Sequence, residues 1–431
     1  MKLVIIAGGR GTRLGLKDIP KPMVRIGSVP LLEHHVNLAR KYDIEEIYLL
    51  SGHLSEVITD YFGDGSKFGI KITHIIENVP LGPAGAIRQL GDEISKRFMV
   101  FYGDILLDFD INSFMQFDGA MDTIATLIVH PNDHPYDSDL VEINDENIIT
   151  AFHSKPHDGN RFYQNMVNAG VYILSPEIFG FIPGDKPSDF GKDTFPLLMA
   201  SNKRIGAYKS AEYIKDIGTA DRLTKTNKDY LSGKVERLSK RYKRPAIFID
   251  RDGTLVKEVD LLHKADDLEL FPFSSSAVKK INNSDYMAIL CTNQPVVARN
   301  LCTLEDVRSI HNRLETLLGR DHAFLNDIYF CPHHPDRGYP GENIAFKIAC
   351  DCRKPNTGMI TRAVEEYNVD IKSSWFIGDT TIDIQTGIEA GMRTILVRTG
   401  KGGQDGKFSA TPDFIFDDLG AAVDFILEER Y

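Results

Sequence analysis

Two short pairs of possible metal ligands lie close together in the second half of the chain. Cys331 and His333 form the first pair, and Cys350 and Cys352 form the second. Three thiolates and one imidazole suit tetrahedral Zn²⁺, and each pair can chelate from a single turn. We predict that these four residues bind zinc as a unit, called the zinc clip below. The alternatives are that His334 replaces His333, or that the cysteines are buried structural thiols.

Two carboxylates follow a strand-like segment, 245–249, on alternate positions. They belong to Asp250 and Asp252. One carboxylate can attack phosphorus as a nucleophile, while the other serves as general acid and then as general base. Two carboxylates this close can also bind Mg²⁺. We therefore predict that both residues are catalytic and that both are Mg²⁺ ligands.

Two further strand-like segments end at polar residues in the same half. Thr292 and Asn293 can donate hydrogen bonds to phosphoryl oxygens, and Lys354 can offset their charge. Asp379 and Asp383 can complete the Mg²⁺ site. Because the carboxyl ends of parallel strands share one edge of a sheet, we expect these residues to converge on Asp250.

These elements, in this order, resemble the haloacid dehalogenase superfamily over roughly residues 244–425. Only 39 residues separate Asp252 from Thr292, so no large cap domain fits between them. The zinc clip is similar to that of a subgroup with heptose 1,7-bisphosphate and histidinol-phosphate phosphatases. The resemblance implies a phosphatase in which Arg353 contacts the distal end of a bisphosphate. Thr380 stands where the subgroup more often has Lys or Arg.

A glycine-rich turn follows the first strand-like segment of the chain. It contains Gly8, Gly9 and Gly11, and the cations Arg13 and Lys21 come soon after. Glycines let backbone N–H groups approach a triphosphate, and the cations can neutralise its oxygens. The spacing matches neither the dinucleotide-binding nor the P-loop motif.

The run from Gly8 to Leu14, followed by Lys21 and Pro22, resembles the signature of sugar-phosphate nucleotidyltransferases. The resemblance extends over roughly residues 1–230. It implies attack of a sugar 1-phosphate on the α-phosphorus of a nucleoside triphosphate, with release of pyrophosphate. The substrate-binding residues that it implies are Gly8, Gly9, Gly11, Thr12, Gly82, Gly85, Lys155, Asn168 and Gly170.

The same resemblance assigns roles to the charged residues of the first half. Asp104 and Asp216 would hold Mg²⁺, Arg13 and Lys21 would be catalytic, and Lys155 would position the sugar phosphate. The family usually has Glu before the Lys-Pro pair, whereas Ser154 precedes Lys155 here.

The alternation of strand-like and helix-like segments predicts an α/β protein with two domains. We expect a Rossmann-like nucleotidyltransferase fold with a mixed sheet over 1–230 and a linker over 231–243. A capless Rossmannoid fold of the haloacid dehalogenase type, with the zinc clip, would occupy 244–431.

Composition limits the partners of the 431-residue chain. A formal net charge of −11 argues against binding to nucleic acid or anionic membranes. The five cysteines do not form the pattern of a secreted disulfide framework. No apolar run reaches the roughly 18 residues of a membrane span. We expect a cytoplasmic enzyme with Mg²⁺ and Zn²⁺ as cofactors and small molecules as substrates.

Two catalytic units on one chain suggest consecutive steps. The resemblances imply removal of the C7 phosphate from D-glycero-D-manno-heptose 1,7-bisphosphate, then activation of heptose 1-phosphate, with GTP as first choice, for a surface glycan. One alternative is another phosphatase substrate, such as histidinol phosphate, with another sugar and base. A second is that the first domain only senses a nucleotide sugar.

Overall fold

The structure is a computed structural model and describes residues 1–429 except 10, 12, 13, 17, 92, 185 and 339. Its contacts divide the chain into two compact units. Unit 1 comprises Met1–His130, Asp139–Ser154 and Val167–Arg241. Unit 2 comprises Pro131–Ser138, Lys155–Met166 and the chain from Tyr242 onward. Two segments from the first half of the chain therefore belong to unit 2. The two units are not separated at a single point in the sequence.

Unit 1 contains a mixed sheet with helices beside it. Its strands are β1 (Lys2–Ile6), β2 (Arg25–Ile26), β3 (Val29–Pro30), β4 (Glu46–Ser51), β5 (Lys71–Ile76), β6 (Phe98–Tyr102), β7 (Ile105–Asp108), β8 (Ala125–His130), β9 (Leu140–Ile143), β10 (Ile149–His153), β11 (Val167–Leu174), β12 (Ile205–Lys209) and β13 (Tyr213–Asp216). Its helices are α1 (Leu31–Lys41), α2 (Ser55–Phe62), α3 (Gly82–Arg88), α4 (Ile111–Ala120), α5 (Phe195–Ala200), α6 (Ala220–Leu231) and α7 (Lys234–Arg237).

The central sheet of unit 1 has nine strands within the described residues. Its parallel part runs β5-β4-β1-β6, and β11 pairs antiparallel with β6. The strand order reverses between β1 and β6, which is where α/β folds bind ligands. The glycine-rich turn follows β1 and Asp104 follows β6, so both lie at this point. The mixed sheet predicted from the sequence is confirmed.

The segment 231–243, predicted to be a linker, is instead folded against unit 1 through residue 241. It contains α7, whose Val235 is buried in a small apolar cluster with Leu106 and Tyr213. Arg241 donates two hydrogen bonds to the carboxylate of Asp108, at 3.1 and 3.0 Å. Val235 and Leu238, which packs against the same cluster, anchor this mostly charged segment together with Arg241.

Unit 2 is built around a parallel sheet. Its strands are β14 (Ala246–Ile249), β15 (Met287–Asn293), β16 (Asp327–Cys331), β17 (Trp375–Gly378), β18 (Arg393–Val397) and β19 (Phe414–Phe416). Its helices are α8 (Ser274–Asn283), α9 (Leu304–Arg320), α10 (Gly358–Tyr367), α11 (Thr381–Ala390) and α12 (Leu419–Glu428). The order β16-β15-β14-β17-β18-β19 is that of the doubly wound Rossmann sheet, with its switch point between β14 and β17.

Apolar strands hold the centre of each sheet in place. Every residue of β14 and of β17 is buried, as expected for parallel strands covered on both faces. The predicted two-domain α/β class is confirmed. Among the described residues, none of the helices has the length and apolar character required to cross a membrane.

Candidate active sites

Asp250 lies at the switch point of the sheet in unit 2. It follows β14 directly, and its backbone N donates to the carbonyl oxygen of Ile377 in β17, at 3.0 Å. The side chain is buried and accepts a 2.8 Å hydrogen bond from the N–H of Arg251. The two central strands therefore fix the backbone of Asp250, and the N–H of Arg251 orients its carboxylate.

Three buried carboxylates form a cluster at this position. Asp250, Asp379 and Asp383 each offer an oxygen, and these oxygens lie within 4.8 Å of one another. Burial, together with Asp383, raises the pKa of Asp250 to about 7. Burial, together with the charges of Asp250 and Asp383, raises the pKa of Asp379 to about 8. Like charges so close require a compensating cation, so a divalent ion fits this cluster.

Lys354 supplies part of that positive charge. Its Nζ lies 2.8 Å from Asp250 Oδ1 and 2.6 Å from Asp383 Oδ1, and it donates to the carbonyl oxygen of Cys291 at 3.0 Å. Burial opposes the charged form, but the two carboxylates raise the pKa of Lys354 above its ordinary value. The lysine is therefore charged, and its place next to Asp250 agrees with the sequence prediction.

Asp252 was predicted to share the metal with Asp250, but its carboxylate is not a member of the cluster. Instead it accepts hydrogen bonds from Arg251, at 3.1 and 2.9 Å, and from Gln294 Nε2, at 2.9 Å. These partners hold the Asp252 carboxylate in one orientation, and the Arg251 guanidinium forms an ion pair with it.

Asn293 and Thr292 also make contacts that the sequence did not indicate. Asn293 Oδ1 accepts from the backbone N of Lys354 at 3.0 Å, and Asn293 Nδ2 donates to the Lys354 carbonyl at 3.1 Å. Asn293 thus fixes the backbone of Lys354. Thr292 is buried, and its hydroxyl accepts from Gln294 at 2.9 Å.

Arg251, Gln294 and His311 are site residues that the sequence analysis missed. The Arg251 side chain is fully buried and contacts Asp252, Gln294 Oε1 at 2.8 Å and His311 Nε2 at 3.2 Å. Burial lowers the pKa of His311, so this imidazole is neutral and can accept from Arg251. The sequence signal that could have indicated Arg251 is its position between Asp250 and Asp252.

Thr380 has a structural reason to stand beside Asp379. Its hydroxyl accepts from the N–H of Asp383, and the Asp383 carboxylate accepts from the N–H of Thr380 at 3.1 Å. This reciprocal capping box begins α11 and orients Asp383 toward Lys354. A Lys or Arg at position 380 could not supply the hydroxyl acceptor.

The four residues of the zinc clip lie together. The sulfur of Cys352 is 3.2 Å from that of Cys331, 3.3 Å from that of Cys350 and 3.4 Å from His333 Nδ1. Zn–S bonds of about 2.3 Å place tetrahedral ligand atoms a little under 4 Å apart, so the donor set and its size fit zinc. The contact with the Cys331 thiol lowers the pKa of Cys352 to about 5. His334 is not part of this group.

The zinc clip is continuous in sequence with Lys354 of the carboxylate cluster. Arg353, the predicted distal-phosphate contact, donates to the carbonyl oxygen of His333 at 3.0 Å, and Lys354 follows it. A metal that fixes Cys352 would therefore also fix these two cations.

Removal of metal from the zinc clip is expected to lower both the stability of unit 2 and the phosphatase rate. Replacing Cys350 with Ser removes one thiolate, so we expect a lower melting temperature and a phosphatase kcat/KM at least about tenfold lower. Zinc content by atomic emission, calorimetry and phosphate release check this. Cys302→Ser, outside the clip, is the matched control. Full zinc content and unchanged melting in Cys350→Ser would contradict the assignment.

In unit 1 the glycine-rich turn brings Lys21 against Asp104. The Nζ of Lys21 lies 2.6 Å from Asp104 Oδ2, and the lysine is buried. Gly11 has φ +62°, and a Cβ there would lie 3.3 Å from Cβ of Lys21, so glycine permits this close approach. Thr12 and Arg13, also predicted here, lie outside the described residues.

Strand β13 ends at Asp216, close to Asp104. Strand β13 pairs antiparallel with β7 so that Asp216 faces Ile105, and the N–H of Ile217 donates to the carbonyl oxygen of Asp104 at 3.0 Å. The Asp216 carboxylate accepts from Arg222 Nη1 at 3.1 and 3.0 Å. The two predicted metal carboxylates thus come from neighbouring backbone segments, Asp216 from the end of β13 and Asp104 from the residue before β7.

Glycines in the predicted substrate loops of unit 1 lie in close contact with neighbouring residues. Gly82 has φ +73°, and a Cβ there would lie 2.6 Å from the carbonyl oxygen of Ser188. Gly170 has φ +71°, with Ile105 and the Tyr102 ring close by, and its N–H donates to Asn168 Oδ1 at 3.2 Å. Gly85 lies within the buried stretch of α3. No side chain larger than glycine fits at positions 82 and 170 without displacing these neighbours.

Two further residues complete the account of the predicted sites. Lys155 belongs to unit 2, where its Nζ donates to the carbonyl oxygen of Asp137 at 2.6 Å. Glu77 was missed by the sequence analysis. Its carboxylate accepts from the N–H of Leu81 at 3.3 Å, and a Cβ on Gly8 would lie 2.9 Å from Glu77 Oε2. Burial raises the pKa of Glu77.

Two α/β sheets, each with carboxylates and a lysine at its switch point, define an enzyme of phosphoryl and nucleotidyl chemistry. The comparisons with known proteins agree. The family profile described as nucleotidyl transferase matches residues 2–233, and one described as HAD-hydrolase-like matches residues 351–422.

Similar proteins divide between the two halves. D-glycero-D-manno-heptose-1,7-bisphosphate 7-phosphatase of Thermosynechococcus vestitus is 37% identical over 190 residues, covering 42% of this chain and 95% of that protein. Mannose-1-phosphate guanyltransferase of Saccharomyces cerevisiae is 31% identical over 252 residues, covering 57% of this chain and 66% of that protein. A crystal structure of D,D-heptose 1.7-bisphosphate phosphatase from B. bronchiseptica, complexed with magnesium and phosphate, is 30% identical and covers 43% of this chain and 99% of that one, with a TM-score of 0.38.

The chain belongs to the nucleotidyl transferase family through its first half and to the heptose bisphosphate phosphatase family through its second half. It is an enzyme with a nucleotidyltransferase domain and a phosphatase domain. The resemblances predicted from the sequence motifs are confirmed.

Proposed function

We propose that the protein removes the C7 phosphate of D-glycero-D-manno-heptose 1,7-bisphosphate and then transfers a guanylyl group from GTP to the resulting heptose 1-phosphate. The observation that carries this proposal is the cluster of Asp250, Asp379, Asp383 and Lys354 joined to the zinc clip, on a chain that also carries the Lys21–Asp104 site. The product of the first reaction has the 1-phosphate that the second reaction needs, so the two activities are consecutive.

In the first step, a carboxylate oxygen of Asp250 attacks the phosphorus of the C7 phosphate. The bond between phosphorus and the C7 oxygen breaks, and Asp252 donates a proton to that oxygen. Water then attacks the aspartyl phosphate while Asp252 takes a proton, which releases phosphate and restores Asp250. Lys354 stabilises the phosphoryl oxygens throughout. Mg²⁺ held by Asp250 and Asp379 would supply further positive charge, and Asp383 would orient Lys354.

In the second step, an oxygen of heptose 1-phosphate attacks the α-phosphorus of the nucleotide, and pyrophosphate leaves. The backbone N–H groups near Gly8, Gly9 and Gly11 bind the triphosphate. Asp104 and Asp216 would hold Mg²⁺, which would supply positive charge against the reacting phosphates, while Lys21 keeps Asp104 oriented. Arg13 and Lys155 are proposed to contact pyrophosphate and sugar phosphate.

Glu77 supports the choice of GTP. Its carboxylate lies against Gly8 and next to the loop at Leu81, which resembles the base-contacting loop. A carboxylate accepts two hydrogen bonds side by side, and guanine offers N1–H and N2–H in that arrangement, whereas adenine does not.

Glu77→Gln is expected to lower kcat/KM for GTP about tenfold or more and to leave that for ATP nearly unchanged, because Gln presents a donor to the guanine N–H groups. Pyrophosphate release with each nucleotide checks this. Glu56→Gln, on α2, is the control. Equal losses for GTP and ATP would count against base recognition by Glu77.

The substrate proposal is tested by comparing kcat/KM for phosphate release from heptose 1,7-bisphosphate, histidinol phosphate and other sugar phosphates. We expect the heptose bisphosphate to exceed the others by at least about tenfold. A preference for histidinol phosphate would refute the proposal. Nucleotide-sugar binding without pyrophosphate release would identify the first domain as a sensor.

A cytoplasmic location and a role in supplying activated heptose for a surface glycan complete the proposal. The thiols of the zinc clip support the location, because thiolate ligands persist in a reducing compartment.

A further inference from the structure

Helix α9 reaches the phosphatase site through His311. This residue lies on the buried face of the helix, together with the apolar residues Val307 and Leu314. Its ring packs edge-on against that of Phe330 in β16, with the ring centroids 5.3 Å apart. A polar side chain in such surroundings is expected to have a hydrogen-bond partner. That partner is Arg251, which is 60 positions away in the sequence.

The guanidinium of buried Arg251 has an acceptor for each of its three nitrogens. Nε and Nη2 donate to the two oxygens of Asp252, at 3.1 and 2.9 Å, which is the bidentate arrangement of an arginine with a carboxylate. Nη2 also donates to Gln294 Oε1 at 2.8 Å, and Nη1 lies 3.2 Å from His311 Nε2. The imidazole thus holds Nη1, while the carboxylate and the amide hold Nε and Nη2.

The proton in the contact between Arg251 and His311 comes from the arginine. A guanidinium has no acceptor atom, so Nε2 of the imidazole must be the acceptor and the ring must be neutral. Burial and the charge of Arg251 both lower the pKa of His311, which agrees with a neutral ring. The contact is therefore directional, because it requires a lone pair where Nε2 lies and not merely a polar residue at this position.

Contacts from distant parts of the sequence fix the pair formed by Arg251 and Asp252. The two residues are neighbours in the chain, so their ion pair alone does not fix the carboxylate relative to the rest of the site. Gln294, which follows β15, donates to Asp252 Oδ2 at 2.9 Å and to Thr292 Oγ1 at 2.9 Å. His311 on α9 holds Nη1 of the guanidinium. Two separate elements therefore determine where the Asp252 carboxylate points.

We propose that His311 is a positioning residue for the phosphatase reaction, which acts through Arg251 to align the carboxylate of Asp252 with the leaving oxygen. This inference rests on the proposed acid–base function of Asp252. Proton donation requires hydrogen-bond distance and alignment, so a guanidinium that can turn weakens the step that needs the proton. His311 contacts Arg251 and Phe330 in the interior, so its effect on the reaction is indirect.

Two amide variants of the full chain test this role, because they differ only in the reach of their oxygen. Gln can place its side-chain oxygen near the position of His311 Nε2, whereas Asn is one methylene shorter and falls short of Arg251. We expect His311→Asn to lower kcat/KM for phosphate release from heptose 1,7-bisphosphate about tenfold, since a buried N–H of the guanidinium then lacks its acceptor. His311→Gln should stay within about threefold of the unmodified chain.

An aryl phosphate separates positioning of the acid from a general loss of structure. p-Nitrophenolate leaves without a proton, so kcat/KM for p-nitrophenyl phosphate should fall less than about threefold in His311→Asn. Asp252→Asn is the reference and should show the same dependence on the leaving group, with a larger loss for the heptose bisphosphate. Leu314→Ala, on the same buried face of α9, is the matched control. It removes packing but keeps the imidazole, so both substrates should change by the same factor.

The outcomes separate this inference from the proposed function. Equal losses with both substrates in His311→Asn, an unchanged kcat/KM for the heptose bisphosphate, or no recovery in His311→Gln would each overturn the inference. Equal losses with both substrates in Asp252→Asn would refute the proposed acid–base function, and the inference with it. If the unmodified chain released no phosphate from heptose 1,7-bisphosphate, the proposed substrate would be refuted instead. An alkyl phosphate that the chain does hydrolyse would then take its place, and the same comparison would still decide the role of His311.

Discussion

Replacing Asp250 with Asn is expected to lower phosphate release from heptose 1,7-bisphosphate by about 10⁴-fold or more. The amide keeps the size of the carboxylate but cannot attack phosphorus. Lys354 retains its contact with Asp383 in this variant, so the buried ammonium keeps a partner and the fold is preserved. The rate of phosphate release in a coupled assay measures the effect.

The control for this variant lies in the same unit. Asp424 pairs with Lys280 on the surface, and Asp424→Asn should leave phosphate release unchanged. Nucleotidyl transfer from GTP to added heptose 1-phosphate should proceed in Asp250→Asn at the rate of the unmodified chain. Substantial residual hydrolysis, above about one part in a hundred, would show that Asp250 is not the nucleophile.

Replacing Asp216 with Asn is expected to lower the kcat of nucleotidyl transfer by about 10²–10³-fold. Asp216 and Asp104 come from neighbouring backbone segments, and the loss of one carboxylate would weaken binding of the cation that would compensate the charge of the reacting phosphates. Pyrophosphate release at saturating Mg²⁺, GTP and heptose 1-phosphate measures this change.

The phosphatase rate provides the internal control for Asp216→Asn and should stay within about twofold of that of the unmodified chain. Asp60→Asn, on the exposed side of α2, should leave both reactions unchanged. If added Mg²⁺ failed to recover any activity and GTP binding were lost as well, Asp216 would have a structural role rather than a metal-binding one.

The parts of the sites that could be predicted from the sequence follow from one rule of α/β folds. Polar residues directly after buried parallel strands meet at one edge, which brought Asp250 and Asp379 together without any knowledge of the loops between them. The two ligand pairs of the zinc clip likewise needed only their spacing. These predictions depend on local patterns and on the direction of strands.

Other features depend on partners that are distant in the sequence. Asp252 lies outside the carboxylate cluster because buried Arg251 and Gln294 bind its side chain. The burial of an arginine cannot be recognised from the neighbouring sequence. Asn165 and Glu315 are 150 positions apart, so the segments Pro131–Ser138 and Lys155–Met166 could not be assigned to unit 2 from sequence. Val235 anchored α7 within a stretch whose charges suggested a linker.

The most direct test of the two consecutive reactions is a ³¹P NMR time course of the purified chain with Mg²⁺, heptose 1,7-bisphosphate and GTP, with a parallel sample containing ATP. We predict loss of the C7 phosphate signal first, then pyrophosphate and a new diphosphate signal with GTP, with the second stage blocked in Asp216→Asn. Phosphate release without pyrophosphate from either nucleotide would contradict the proposed second reaction.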